Sequence, residues 1–466
     1  FMDLKPEVAM NIKKRLVGYL IVLCGAVVLF DASAQTLSTR LSTSVYSWEN
    51  QYADSTTQKS FRGYQTAIFH ANGIWKSNIS LHGYVTGSYD LAGARQDNPD
   101  YRVYNLYAQW KSDPTKNHRW EARVGRQQVY AGVRAPSIDG VRYDFYNADK
   151  YGFMAYYGAL PPADGTVKMG RPADRSAFGA KVMTSKLAQT HMALTYVERR
   201  SIGQYYYTIN GRNADTLVYS PDLDERLIAF DANRNFFGKI NWFYNVTYDA
   251  LASNVRKIST DVQFQPLHTL WFAVQYAYRR PDLYYNTIFA KFDDIEANQE
   301  LWVRGTYQFN TDWSFNGEYA NVFYKMKDAW RYGAGLTYQR TNVSYQWRLG
   351  YGGTIKQISL SSYYPVSRSM YLYGGLTYAT YDMKDDITSS DFLSSSTQDI
   401  YRQVYQYTNS SMTAVLRCNY NLMQAMNVDV EGQYLSQNIK TSPVFAGSKY
   451  DLRFFVRANY WFFNKI

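Results

Sequence analysis

Apolar and polar residues alternate along most of the chain after residue 35. The alternation is clearest in Lys239–Asp249, and the same period recurs in 269–279, 300–309, 344–351 and 452–462. Because successive side chains of a β-strand point to opposite faces, a two-residue period predicts strands with one apolar and one polar face. The segments have about 9 to 14 residues, whereas globular strands have about five or six and a membrane-crossing strand needs roughly 9–11.

The apolar faces of these strands can be placed in two ways. In a soluble sandwich they pack into a core, whereas in a transmembrane barrel they face lipid and the polar faces line the lumen. Aromatic residues often stand near the segment ends, where a membrane barrel has its aromatic girdles. Strand length, strand number and these aromatics favour the membrane. We therefore predict an all-β protein, a transmembrane antiparallel up-and-down β-barrel with an even strand number of about 18–22.

Connections between the predicted strands alternate in length. Short ones include Asn72-Gly73, Gln265–Leu267 and Thr341-Asn342, and long ones include Ser47–Ser60 and Arg199–Asp224. Outer-membrane barrels have short periplasmic turns and long outer loops, so this order predicts that the barrel starts on the periplasmic side. Strands begin close after residue 35, which disfavours a plug domain, and no second domain is evident.

The first 34 residues predict an export signal. A basic stretch, Met10–Arg15, precedes the apolar run Leu16–Phe30, which is followed by Ala32-Ser33-Ala34. These are the parts of a secretory signal peptide, and the run is short for a transmembrane helix. We expect translation to start at Met10 and cleavage to follow Ala34, with an uncut anchoring helix as the alternative. Residues 35–466 then form a single barrel domain in the outer membrane of a Gram-negative cell.

Composition narrows the alternatives. Tyr contributes 46 residues and aromatic residues make up 17% of the chain, which argues against disorder. The two cysteines, Cys24 and Cys418, argue against a disulfide scaffold, and cleavage leaves Cys418 alone. The net charge of the whole chain is +11, yet after residue 34 the positive residues form no run. Together with the export signal, this removes nucleic acid from the expected partners.

The most distinctive stretch is 122–146, ARVGRQQVYAGVRAPSIDGVRYDFY. Its G-R-Q and D-G parts resemble an element of porin-like outer-membrane β-barrels, including the alginate-export-like group. The resemblance implies an unplugged channel whose arginines help to pass anionic sugar chains. It also implies that Arg126, Gln127, Asp139 and Arg142 lie at or near the channel.

The position of Arg126 leaves two alternatives open. Arg126 shares its strand face with Val124, so either a bulge at Gly125 turns it inward or it lies beyond the lipid on the outer face. The function of Arg126 is open in the same way. It contacts solute, or it braces a loop together with Asp139.

The C-terminal strand resembles the barrel-assembly signal of the same proteins. Such a strand is amphipathic and ends in aromatic residues, and Tyr460, Phe462 and Phe463 fit this description. The chain continues with Asn464-Lys465-Ile466, where an aromatic last residue is typical. The resemblance implies that the barrel-assembly machinery and outer-membrane lipid are partners of this protein.

Catalytic and metal-binding patterns are sparse. The five histidines show no metal-ligand spacing, and no lipase or nucleotide-binding motif occurs. Ser80 and Ser88 share a strand face with His82, as a nucleophile and a base would, but small hydroxyl residues fill most barrel walls. Asp429 and Glu431 also share one face, and we interpret them as lumen-wall charges rather than a hydrolytic pair. We expect no enzyme, and neither a cofactor nor a metal.

The two-residue alternation of each strand indicates which charged side chains point into the lumen. The basic inward positions are Arg123, Arg142, Lys181, Lys239, Lys257, Arg304, Arg331, Arg348, Arg417, Arg453 and Arg457. The acidic ones are Glu121, Asp144, Asp249, Asp261, Glu300, Glu318, Asp429 and Glu431. Basic residues in a pore favour anions, so the basic surplus predicts a weak preference for anions. The channel-lining candidates are Arg123, Arg126, Arg142, Arg304, Arg331, Arg348, Arg417, Arg453 and Arg457.

Three functions fit these observations. The first is a passive channel for small or anionic solutes, including sugars, which inward aromatics such as Trp271, Trp302, Tyr371 and Tyr373 could stack. The second is a structural or surface-binding barrel whose lumen is filled by such side chains and by loops. The third is an outer-membrane enzyme. We predict the channel, and the sequence leaves the solute, the direction of transport and the oligomeric state open.

Overall fold

The structure, a computed structural model, describes most of the chain after residue 34. The described residues are 35–52, 57–91, 100–113, 118–133, 136–147, 150–162, 165–187, 189–202, 204–210, 213–220, 225–280, 297–323, 328–350, 353–382, 408–439 and 448–465. The predicted signal region, 1–34, lies outside the described residues, as do parts of the longer connections.

Almost all of this part of the chain is β-strand. The strands are β1 Thr36–Tyr52, β2 Thr57–Asn72, β3 Ile79–Asp90, β4 Asp100–Lys111, β5 His118–Gln128, β6 Ser137–Asn147, β7 Tyr151–Ala159, β8 Arg175–Leu187, β9 Thr190–Ser201, β10 Gln204–Asn210, β11 Asn213–Ser220, β12 Glu225–Phe236, β13 Ile240–Asp249, β14 Asn254–Leu267, β15 Leu270–Arg279, β16 Asn298–Gln308, β17 Trp313–Phe323, β18 Ala329–Tyr338, β19 Thr341–Gly350, β20 Thr354–Pro365, β21 Met370–Asp382, β22 Thr408–Met423, β23 Met426–Ile439 and β24 Ser448–Lys465. A 3₁₀ turn, Ile74–Lys76, follows β2. No helix in the described ranges is long and apolar enough to cross a membrane.

Twenty-two of these strands form one closed antiparallel sheet. Each strand pairs with the next along the chain, except that β9 pairs with β12 and leaves β10 and β11 as a separate hairpin. The sheet closes where β1 pairs with β24, from Thr36 opposite Lys465 to Tyr52 opposite Ser448. Closure removes both exposed sheet edges. The prediction of an up-and-down barrel with an even strand number is confirmed.

The two faces of the barrel wall differ in chemistry. Val124 is 58% exposed, and its cross-strand neighbour Val141 is 50% exposed on the same face. Arg123 and Arg142, one position earlier and one later, form the next cross-strand pair and lie on the opposite face. In a closed barrel without a core between sheets, an exposed apolar face is the lipid-facing surface. The charged face therefore lines the lumen of an outer-membrane barrel.

Connections at one end of the barrel are all short. They have two to six residues, from 73–78 after β2 to 424–425 after β22, and by the outer-membrane rule this end faces the periplasm. Two predicted turns are wrong, because Gln265–Leu267 lies within β14 and Thr341-Asn342 begins β19. Pro266 is accommodated where the pairing register shifts near the end of β14.

Two predicted outer loops contain regular structure. β1 and β2 extend far into Ser47–Ser60, which is therefore mostly strand. Glu49 stands opposite Lys59 and forms an ion pair with it at 3.0 Å, and such cross-strand pairs stabilise polar strand ends above the lipid. The second predicted loop, Arg199–Asp224, contains the separate hairpin of β10 and β11.

Candidate functional site

A short segment after β5 folds against the inner wall of the barrel. This segment, Val129–Val133, is called the inserted segment below. Its residues Val129 and Ala131 are 0% exposed and belong to an apolar cluster with lumen-facing residues of β6, β7, β8 and β9. The cluster contains Ile138, Met154, Tyr156, Leu160, Ala177 and Val197, with Val133 and Met183 packed against it. The inserted segment therefore occupies part of the lumen cross-section.

Two contacts fix the inserted segment to the wall. Thr195 Oγ1 on β9 donates a hydrogen bond of 2.9 Å to the carbonyl oxygen of Ala131. Gly132 has a φ of +101°, and a Cβ at this position would lie 3.0 Å from Asp231 Oδ2 and 3.6 Å from Lys181 Nζ. A side chain here would therefore be strained as well as crowded. The segment reaches across the lumen face to β8, β9 and β12.

Cavities lie on both sides of the inserted segment. Towards the periplasmic end, a cavity of about 550 Å³ is lined by residues that include Lys181, Asp231, Phe243 and His191. Towards the outer end, a cavity of about 150 Å³ is lined by Val133, Leu227, Thr247, Arg256, Lys257, Arg279 and Arg280. We call the second one the basic cavity.

The basic residues of this cavity differ in their partners. Arg256 is bulged out of the β13–β14 register and pairs with Glu225 at 2.8 Å and Asp249 at 2.7 Å. Lys257 and Arg279 stand directly opposite each other on β14 and β15. Like charges in that position repel each other. Across the residues that the structure describes, Lys257, Arg279 and Arg280 form no ion pair.

Most channel-lining candidates pair with carboxylates along the wall. Arg123 pairs with Glu121 on the same strand, and Arg142 donates two hydrogen bonds of 2.8 Å to Asp144. Arg304 lies 3.8 Å from Asp261. Because each pair is nearly neutral at a distance, these arginines contribute less to the lumen potential than their number indicates.

Arg304 and Arg331 also contact aromatic rings. The Arg304 guanidinium lies 5.2 Å from the ring centroid of Trp271 and 4.5 Å from that of Trp302. Arg331 lies 5.4 Å from the centroid of Trp302 and within 3.6 Å of both Glu300 and Glu318. Arg348 stands opposite Arg331 in the register of β18 and β19.

The remaining candidates form ion pairs on the last three strands. Arg417 lies 3.4 Å from Asp429 and 3.9 Å from Glu431. Arg457 lies 3.7 Å from the same Asp429. Arg453 donates a hydrogen bond of 2.8 Å from Nε to Asp451. These three arginines are 39–45% exposed, whereas the side chains of Asp429 and Asp451 are 7% and 9% exposed.

Arg126 has a different environment from the wall arginines. Its Nε and Nη2 donate to the two carboxylate oxygens of Asp139 at 2.7 and 2.9 Å, and the two side chains are 5% and 2% exposed. The Nη atoms also donate to the carbonyl oxygens of Val103, Thr166 and Lys168. We call this arrangement the clasp, because it ties β4, β5 and β6 to the connection after β7.

The clasp lies on the outer face of the wall. Arg126 stands beside Leu106, whose side chain is exposed on the lipid-facing side, and the register continues without a shift through β4, β5 and β6. Gly125 has a φ of +126°, and a Cβ there would lie 2.4 Å from the carbonyl oxygen of Leu106. The structure therefore places Arg126 in a loop brace and not among the lumen residues.

The inward charge list from strand phase needs three corrections. Lys239 lies in the turn between β12 and β13 rather than on a strand. Glu225, Asp231 and Asp451 were omitted, although each stands on the lumen face. Basic residues were omitted as well. Arg256 was omitted because the bulge before Lys257 changes its phase, and Arg175 and Arg199 share the lumen face with Ala177 and Val197.

The serine and histidine singled out in the sequence are close together. Ser80 Oγ lies 3.0 Å from His82 Nε2, while His82 Nδ1 lies 2.9 Å from His70 Nδ1. A catalytic base normally has a carboxylate or carbonyl on its second nitrogen; here that nitrogen faces another imidazole. Among the described residues, no group of three or more His, Cys, Asp or Glu is arranged to hold a metal ion.

Comparisons with known proteins give a partial family match. The model of the family "LptD: LPS transport system D" matches residues 174–313, less than half of the chain. No curated protein matches the sequence.

Comparisons of the fold give matches over nearly the whole chain. The siderophore receptor PirA from Acinetobacter baumannii has a TM-score of 0.53 at 9% identity, covering 91% of this chain and 80% of that chain. OccAB3 from Acinetobacter baumannii has a TM-score of 0.41 at 10% identity, covering 92% and 99%. At this identity the likeness concerns the fold. The closed 22-stranded sheet with its lipid-facing apolar side is an outer-membrane β-barrel, and the protein is located in the cell outer membrane.

Proposed function

We propose that this barrel is a passive, non-catalytic channel for small anionic solutes. The observation that carries the proposal is the basic cavity, where Lys257, Arg279 and Arg280 line a space of about 150 Å³ beside the inserted segment. Twenty-two strands enclose a lumen wide enough for an aqueous path. The cavity lies towards the outer end, where a solute arriving from outside enters first.

Electrostatics supports the assignment of anion contact to this cavity. Several arginines elsewhere on the wall, such as Arg142 and Arg417, pair with carboxylates at 2.8–3.9 Å, so their fields largely cancel. Lys257 and Arg279 repel each other across β14 and β15, and an anion between them relieves the repulsion. Arginine binds carboxylate and phosphate through paired N–H donors. Small carboxylates, phosphates and acidic sugars are the matching solute classes.

The resemblance of residues 122–146 to the alginate-export-like group supports the same solute class. In this chain, however, its Arg126 and Asp139 form the clasp. The proposal therefore assigns anion contact to Lys257, Arg279 and Arg280. Trp271 and Trp302, which flank Arg304, offer flat apolar faces for sugar rings.

A salt-gradient experiment tests the proposal. The folded protein in a planar bilayer is expected to show a reversal potential on the anion side. The variant Lys257→Gln/Arg279→Gln/Arg280→Gln removes three positive charges that have no ion-pair partner among the described residues, and it moves the reversal potential towards zero or to the cation side. The matched control, Asp451→Asn/Arg453→Gln, removes one paired carboxylate and one paired arginine and leaves it unchanged. Cation selectivity of the unmodified protein would overturn the proposal.

The alternative is a structural or surface-binding barrel with an occluded lumen. It is favoured by one observation, the apolar cluster around the inserted segment, which already fills part of the cross-section. An occluded barrel gives no conductance in the same bilayer experiment, even when heat-shifted gel mobility shows that it is folded. Conductance by the unmodified protein excludes this alternative.

A further inference from the structure

Two histidines stand opposite each other on the lumen face near the periplasmic end. His70 on β2 and His82 on β3 are direct cross-strand neighbours, and their Nδ1 atoms are 2.9 Å apart. Twelve positions separate them in sequence, so only the strand register brings them together. Neither residue is used by the proposed channel.

The ring geometry is compatible with two Nδ1 atoms that share one ligand. In a linear N–H···N hydrogen bond of this length, the two imidazole centroids would be about 5.2 Å apart. The observed centroids are 4.7 Å apart, with an angle of 81° between the rings. Two imidazoles that bind one metal ion at about 2.05 Å, with ligands at about 90°, would have their centroids roughly 4.5 Å apart. The observed distance lies between the two values, so a small movement of the rings separates the hydrogen-bonded pair from a metal-binding pair.

Neighbouring side chains are placed to favour the His82 tautomer that a metal site needs. Ser80 Oγ contacts His82 Nε2 at 3.0 Å, and the Ser80 hydroxyl points to Gln109 Oε1 at 3.5 Å. If that hydroxyl donates to Gln109, Ser80 Oγ accepts the proton on Nε2, and Nδ1 of His82 keeps a lone pair. Tyr107 stacks on the His82 ring at 4.8 Å and fixes its plane. Such outer contacts orient metal-binding histidines.

We propose that His70 and His82 form a two-histidine site for a divalent transition metal ion, with water completing the coordination. A separation of 2.9 Å between two ligand nitrogens corresponds to an angle of about 90° at a metal 2.05 Å from each. That angle suits square-planar or octahedral ions, whereas a tetrahedral ion needs about 3.3 Å. The site therefore prefers Cu²⁺, then Ni²⁺, over Zn²⁺.

Metal binding here requires a tautomer change and no redox step. With His82 in this tautomer, His70 donates its Nδ1 proton to His82 Nδ1 in the metal-free protein. On binding, that proton moves through water to His70 Nε2, so both Nδ1 lone pairs face the metal and no net proton is released. Arg123, whose positive charge acts on His82, lies over the Tyr107 ring and pairs with Glu121, which reduces its repulsion of a cation. The site does not depend on the proposed channel function.

The test is a Cu²⁺ titration of the folded full-length barrel, without a histidine tag, followed by electron paramagnetic resonance. We expect one Cu²⁺ per chain with hyperfine structure from two equatorial nitrogens. His70→Ala and His82→Ala should each leave at most one nitrogen and weaken binding at least tenfold. His191→Ala, which removes a histidine lining the larger cavity, should change neither measure.

The Ser80→Ala variant distinguishes a residue that orients His82 from the two histidines that bind the metal. It keeps both imidazoles, so the two-nitrogen spectrum should persist while affinity falls by about tenfold. The spectrum of the unmodified protein decides the matter even where a variant fails to fold. A one-nitrogen spectrum, or equal Cu²⁺ binding by the unmodified protein and the folded double variant His70→Ala/His82→Ala, would overturn the proposal.

Discussion

At the scale of single residues, the clasp shows how the arginine of the G-R-Q motif can hold chain segments together. Arg126 makes two hydrogen bonds to Asp139 and three to backbone carbonyls of other segments. Both side chains are almost fully buried. Removing one member of such a pair leaves the other charge buried and unpaired, which is far more costly than losing a water-exposed pair.

Substituting Arg126 should therefore destabilise the outer end of the barrel. We expect Arg126→Gln to lower the free energy of unfolding by about 3 kcal/mol, because Asp139 stays buried without its partner. Urea titration of the folded barrel in detergent measures this. The control Lys59→Gln removes the Glu49–Lys59 ion pair, whose side chains are 53% and 30% exposed, and should change stability by less than about 1 kcal/mol. Equal effects of the two substitutions would contradict the role of the clasp.

Gly132 gives a second prediction at the residue scale. Its φ of +101° and the nearby Asp231 carboxylate exclude a β-branched side chain. Gly132→Val should release the inserted segment from the wall, with little effect on the strands themselves. Single-channel conductance should rise while heat-shifted gel mobility stays as in the unmodified protein. Unchanged conductance from a folded variant would show that the segment does not narrow the path.

At the scale of elements, strand alternation predicted most of the wall but not its ends. The two-residue period marks β13, β15, β16 and β19 because each has one face in lipid. Ser47–Ser60 looked like a loop, since above the lipid the strands need no apolar face and Glu49–Lys59 pairing holds them. The inserted segment was missed as well. Its signal was the apolar composition of the connection 129–136, VYAGVRAP, in which Arg134 is the one charged residue.

At the candidate site, the contacts between side chains of neighbouring strands could not be predicted from the sequence. The phase of a single strand placed Arg123 and Arg142 on one face, but only the register shows which carboxylate each one meets. His70 and His82 were both visible in the sequence, and nothing within either strand indicates that the two are opposite. The bulge that turns Arg256 inward is equally invisible without the partner strand.

The anchor of the inserted segment can be tested at the element scale. Thr195→Val removes the hydroxyl that donates to the Ala131 carbonyl and keeps the side-chain volume. The carbonyl then stays buried without a donor, which costs about 1–3 kcal/mol. We expect more frequent opening events in single-channel records. Identical gating in Thr195→Val and Thr195→Ser, which keeps the hydroxyl, would contradict this anchoring.

At the scale of the whole molecule, the barrel combines a closed lipid-facing wall with an interior that is only partly filled. Among the described residues, the inserted segment occupies one side of the lumen, and cavities of about 550 and 150 Å³ lie on either side of it. Ion pairs neutralise several of the wall arginines, whereas Lys257, Arg279 and Arg280, which form no ion pair within the described part of the chain, lie towards the outer end. Under the proposed function, anions enter at this basic end of the barrel.

The most direct measurement is a planar-bilayer recording of the unmodified protein, residues 35–466, after folding is shown by heat-shifted gel mobility. The account predicts stepwise, steady conductance without an energy source, with anions more permeant than cations. A folded protein that gives no conductance steps would contradict the central claim that this barrel is an open channel.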